Sequence, residues 1–115
     1  MSQYLVLIYE DENAYAAASQ EVMGAVYQDH VTFQEIAGAA LQGGNALQPT
    51  PTATSIRAND NGDFTVTDAP FGEAKEALGG YYLLEAPDLD AAIALAKKVP
   101  ARFGGVEVRP IMVFE

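Results

Sequence analysis

Two stretches of helical periodicity, each set between runs of strand-forming residues, restrict this chain more than any other feature. In the first, Val22, Met23, Val26, Tyr27, His30, Phe33, Ala37, Ala40 and Leu41 recur at spacings of three and four, the stripe of an amphipathic helix. Ser19 suits its N-cap and Glu21 its first turn, where a carboxylate meets the positive end of the helix dipole. Gly43-Gly44 reads as its stop. The second begins at Pro87-Asp88, places Leu89, Ala92, Ile93, Leu95 and Ala96 on one face, and runs to about Val99. Lys97 and Lys98 complement its negative end, and Pro100 ends it.

Strand-like runs surround these helices. Residues 3–9 (QYLVLIY) are rich in branched and aromatic side chains, as are residues 80–86 and 105–114, and residues 45–48 make a short extended piece. Residues 14–18 suit a single helical turn. Residues 52–57 and 64–67 flank Asn59-Asp60-Asn61-Gly62, and Asn-Gly there signals a β-hairpin. Between the hairpin and residue 80 the chain reads as a turn at Asp68-Ala69-Pro70-Phe71, one or two helical turns over residues 73–78, and a Gly79-Gly80 break. Without the hairpin the order is β-α-β-β-α-β. This is an α+β fold, the ferredoxin-like split βαβ with an inserted β-hairpin, with both helices on one face of an antiparallel sheet. The other face is bare and apolar, and a twofold homodimer packing sheet against sheet would cover it. No linker divides the chain, so residues 1–115 form one domain.

Composition narrows the function classes. Six basic residues stand against sixteen acidic ones, a formal charge of -10, which argues against nucleic acid and against an anionic membrane surface, since both are bound through Lys and Arg. The absence of cysteine removes disulfides, thiolate nucleophiles and thiolate metal ligands. No apolar run approaches the ~20 residues of a spanning helix, and no signal segment precedes the first strand. A cytoplasmic protein is expected. There is no Gly-rich phosphate loop, and one histidine among scattered carboxylates makes a poor metal site. Neither cofactor nor metal is expected.

His30, the one histidine, projects with the apolar stripe. It is either held in a structural hydrogen bond, the commoner case, or lines a cavity. Asp68 either caps its own turn, again the commoner case, or acts with His30 as a general acid/base pair. Glu73, Lys75 and Glu76 form one charged turn, in which Lys75 is available for an anionic ligand. Arg57 and Arg109 each fall in a strand, where they protect an edge or face a ligand. Of Tyr81 and Tyr82, one belongs to the core and the other to the surface or a pocket.

Asp68-Ala69-Pro70-Phe71, followed by Glu73-Ala74-Lys75-Glu76 and Leu78-Gly79-Gly80-Tyr81-Tyr82, resembles the signature block of the YCII-related (DGPF) domain proteins. The likeness includes the YLVLIY opening, His30-x-x-Phe33, Leu47-Gln48-Pro49, Ala53-Thr54-x-x-Arg57 and the closing Gly105-Val106-Glu107-Val108-Arg109-Pro110. Ala69 stands where the signature has glycine, a change the extended residue before a proline accommodates. The resemblance implies a dimeric α+β barrel and a catalytic His–Asp pair, carried over as His30 and Asp68. Two functions remain open. One is a lyase or isomerase acting on a small molecule, with Arg57, Phe71, Glu73, Lys75, Tyr81 and Arg109 holding an anionic ligand. The other is a non-catalytic ligand-sensing or protein-interaction module, associated with a sigma factor as some members of the family are.

Overall fold

The computed structural model describes residues 1–71 and 75–114. Strand β1 (Ser2–Glu10) lies at the centre of a four-stranded antiparallel sheet. Tyr4, Val6 and Ile8 point to one side and are buried, while Leu5, Leu7 and Tyr9 alternate to the other and are half-buried. That period of two is what a strand with one covered face requires. The sheet order is β2-β5-β1-β6, with β2 Leu41–Ala46, β5 Ala77–Ala86 and β6 Gly104–Pro110. The expected α+β class with an antiparallel sheet is what the chain adopts.

Helices α1 (Glu12–Ala17), α2 (Gln20–Ala37) and α3 (Leu89–Ala96) complete the body. Ser19 caps α2, its Oγ accepting from the Val22 amide at 3.2 Å, and Asp88 caps α3, its Oδ1 accepting from the Ala91 amide at 2.8 Å. The Ser19 cap stands where the sequence puts it, and α3 begins at the expected Pro87-Asp88. Phe33 and Ala37 of α2 and Ala96 of α3 meet Val6, Ile8, Tyr82 and Leu84 of the sheet in one core, and Val106 and Val108 pack against it. Every sheet residue in that core lies on the helix side.

Several boundaries differ from expectation. Helix α2 stops at Ala37, because Gly38 takes φ +50° and its N–H returns to the Gln34 carbonyl; only glycine enters that region without penalty. Gly43 and Gly44 therefore end no helix but lie in β2, opposite Leu83 and Tyr82. A Cβ on Gly44 would sit 2.7 Å from both the Tyr81 carbonyl oxygen and Tyr82 Cδ1, so close approach rather than a helix end explains this glycine. Ala77 to Gly80 is the start of β5, paired with Glu10, Tyr9 and Ile8 of β1, instead of a helical turn and a break. Of the rest of that expected turn, residues 75 and 76 form a bend, and residues 73 and 74 lie outside the described residues. The last strand ends at Pro110, which has no N–H to offer, and Met112 and Phe114 are exposed.

The expected hairpin forms a sheet of its own, β3 (Ser55–Ala58) with β4 (Phe64–Thr67), closed by the Asn59 amide on the Asp63 carbonyl at 2.7 Å. Seven of its eight strand residues, all but Ser55, are exposed, including Ile56, Phe64 and Val66. Its approach is held by Glu12 of α1, whose carboxylate accepts from the Thr50 amide at 2.8 Å and the Thr50 hydroxyl at 2.5 Å. At its base the Ser55 hydroxyl donates to the Ala69 carbonyl. The described chain has extents of 48 × 47 × 18 Å and a radius of gyration of 16.4 Å, against the roughly 13 Å of a compact domain near this length.

Candidate functional site

His30 is delivered to the sheet by the period of α2. One turn beyond it Phe33 enters the core, and Gln34, four residues on, shares its side of the helix. From the sheet, Tyr82 comes up between them because it alternates inward with Leu84 along β5. His30 Nδ1 and the Tyr82 hydroxyl are 2.7 Å apart, and Gln34 Nε2 donates to the same hydroxyl at 3.3 Å. Phe33 packs on the phenol ring with centroids 4.8 Å apart. Tyr82 is only 8% exposed, while His30 is half-buried. Burial lowers the His30 pKa from its ordinary value of 6.5, and the neighbouring Asp29 carboxylate opposes the shift. The imidazole is therefore neutral at neutral pH. Among the described residues no buried side-chain nitrogen or oxygen lacks a partner. Among the described residues no hydrogen bond is made to His30 Nε2.

The other expected site residues lie in three places. Asp68 and Phe71 follow β4 on the loop, both exposed, and the Phe71 ring lies 4.2 Å beneath the Arg57 guanidinium of β3. Such an exposed cation–π contact is worth about 0.5–1 kcal/mol. Lys75 is exposed at the far end of that loop, and Glu73 lies outside the described residues. Tyr81 and Arg109 project from the helix-free side of the sheet, as their cross-strand partners Leu7 and Leu5 do. The Tyr81 hydroxyl accepts from Asn45 Nδ2 at 2.9 Å, and Arg109 is paired with Glu107 at 2.5 Å. The single chain thus brings Arg57 to Phe71, and puts the sheet between His30 and the pair Tyr81 and Arg109. Among the described residues no hydrogen bond or ion pair joins Asp68 to His30, whose partner is Tyr82.

The YCII-related domain matches residues 2–115. The chain belongs to this family. An uncharacterised protein of Rhizobium meliloti (strain 1021) is 33% identical over 117 residues, covering 97% of this chain and 94% of the relative. Among solved structures, 5-chloro-2-hydroxyhydroquinone dehydrochlorinase from Burkholderia phenoliruptrix AC1100, in complex with 2,5-dihydroxybenzoquinone, has a similar fold. Its TM-score is 0.52 at 15% identity, over 93% of this chain and 90% of that one.

In this YCII-related domain two depressions are bounded by residues other than His30. One of about 430 Å³ is bounded by Met1, Ala39, Glu85, Pro87 and Leu95, and one of about 280 Å³ by Asp29, Ile36, Lys97 and Pro100. Among the described residues no three His, Asp or Glu side chains gather as metal ligands would, and no helix is long and apolar enough to cross a membrane. Tyr82 and Gln34 were not among the expected site residues. The signals for them were the i, i+4 spacing of His30 and Gln34, and the inward phase that β5 gives Tyr82 with Leu84.

Proposed function

We propose that this YCII-related chain binds a small oxygenated molecule at His30 and acts on it as a lyase or isomerase, with His30 and Asp68 as its proton-handling groups. The observation that carries this reading is the His30 imidazole: half-buried, its pKa lowered by burial, held through Nδ1 by Tyr82, and with no partner on Nε2 among the described residues. A group poised in this way suits acid–base work. A solved protein of similar fold holds a dihydroxybenzoquinone, which is compatible with a ligand of that size. Asp68, exposed on the loop after the hairpin, is the carboxylate of this reading; Arg57 and Lys75 take an anionic ligand group, and Phe71 and Glu73 contact other parts of the ligand. Tyr81 and Arg109 serve a ligand only where a second subunit faces their side of the sheet.

The quaternary form belongs to the same proposal. The sheet is the ferredoxin-like split βαβ, and its helix-free face, with Leu5, Leu7 and Leu83 half-buried, packs on the same face of a second copy as a dimeric α+β barrel. A second reading, a module that binds a partner protein without turnover, is favoured by the exposed Ile56, Phe64 and Val66 of the hairpin. A thermal-shift screen of hydroxylated aromatic acids, quinones and lactones, followed by product analysis, separates the two. The enzyme reading expects a stabilising compound that is converted by the wild type and not by a folded His30→Ala variant. Equal conversion by both proteins overturns the role of His30, and binding without conversion favours the module.

A further inference from the structure

The hydrogen positions around the Tyr82 hydroxyl follow from the chemistry of its neighbours. Tyr82 is buried, and two side chains reach its hydroxyl oxygen, His30 Nδ1 at 2.7 Å and Gln34 Nε2 at 3.3 Å. An amide nitrogen carries only donors, so toward Gln34 the phenol oxygen is the acceptor. Among the described residues the phenol proton then has one acceptor in reach, the lone pair of Nδ1. The distances agree with this direction. Hydroxyl donors cluster at about 2.7–2.8 Å from their acceptors and N–H donors at about 2.9–3.0 Å, so the short contact is the one a phenol O–H makes. We infer that Tyr82, oriented by Gln34, is a positioning residue that holds His30 as the Nε2–H tautomer, so that the open ring nitrogen is a hydrogen-bond donor rather than a base.

The consequence for the ligand rests on the function proposed above. A neutral imidazole presenting N–H recognises an acceptor oxygen, whether carbonyl, carboxylate or phenolate, and stabilises charge growing on that oxygen, a role known for neutral histidines in other enzymes. A ligand that offers only N–H or O–H at this point finds no partner. Nδ1 is occupied by the phenol proton and Nε2 already bears one, so a proton taken from the ligand goes to another group, Asp68 in that reading. His30 and Asp68 then act as donor and base, not as two halves of one hydrogen-bonded dyad.

The chain contains a single histidine, so a long-range 1H–15N spectrum of histidine-labelled protein reads this ring alone. The wild type at neutral pH is expected to show one pyridine-like nitrogen at Nδ1 and one pyrrole-like nitrogen at Nε2. In Tyr82→Phe, which keeps the packed ring, the two signals move toward the average of exchanging tautomers. Gln34→Glu is the converse test. Its carboxylate takes the phenol proton, the Tyr82 oxygen then accepts from Nδ1–H, and the pyridine-like signal moves to Nε2. A wild-type ring with its proton on Nδ1, or a tautomer unchanged in a folded Tyr82→Phe variant, overturns the inference. If the tautomer is as assigned and no compound binds, the proposed function fails and this inference stands.

Discussion

The pH dependence of stability can be argued from His30. Burial lowers its pKa in the folded chain below the 6.5 of an exposed imidazole, so the unfolded chain takes up the proton first on acidification. The stability that the neutral ring contributes is complete above 6.5 and is lost as pH falls through that value toward the folded pKa. The charged and titratable groups that face the ring are Asp29, itself bonded to Arg102 at 2.9 Å, and Tyr82. Glu10 has its pKa raised by burial, against the Phe103 amide, and acts in the opposite sense: its contribution is present below 4.5 and is lost as pH rises through the folded value. Denaturant melts between about pH 7 and 5 are expected to show a decline in the wild type that His30→Asn flattens; parallel curves would mean the ring is not protected in the fold. Gly44 allows a second residue-scale prediction. Adding its methyl group puts a carbon 2.7 Å from the Tyr82 ring and the Tyr81 carbonyl oxygen, and the cost of such overpacking is about 1–3 kcal/mol. Gly44→Ala should lower the unfolding free energy by that amount and disturb the His30 nitrogen signals, and a silent substitution would show that β2 sits farther from Tyr82.

Helix caps and strand phases were legible at the scale of elements, because each is fixed by neighbours within a few residues. Ser19 was readable as an N-cap, Pro87-Asp88 as a helix start, and residues 3–9 as a strand. Removing the Ser19 hydroxyl by Ser19→Ala is expected to cost about 0.5–2 kcal/mol in denaturant unfolding, with the sheet otherwise unchanged. Residues 41–46 and 77–80 were not legible. Leu41 continues the helical stripe and Gly43-Gly44 resembles a helix stop, yet both belong to a ladder whose partner, β5, lies some forty residues away in sequence. Long-range pairing overrode a local pattern at both places. His30 and its inward direction could be read from the helix period, but its partner could not, since nothing local to α2 points to Tyr82. Asp68 was singled out through its motif, and the motif contains no information on where the loop leads.

For the whole molecule, the arrangement of apolar surface makes a prediction about assembly. Ile56, Phe64 and Val66 are 56%, 67% and 61% exposed on a hairpin that lies apart from the body, and the helix-free sheet face carries Leu5, Leu7 and Leu83. One chain leaves both surfaces in water, whereas two copies related by a twofold axis can cover them together. Sedimentation equilibrium is expected to give twice the 12.2 kDa of one chain, and Leu7→Glu with Leu83→Glu is expected to give a folded monomer. A wild type that stays monomeric at high micromolar concentration would remove the dimer from the account.

The shortest dimension, 18 Å, has a consequence for chemistry. Sheets and the layers stacked on them sit ~10 Å apart, so this thickness holds one sheet and one sheath of helices, with no third stratum in which to sequester a guest. A reaction that needs dry surroundings must borrow its roof, from the hairpin loop or from another chain.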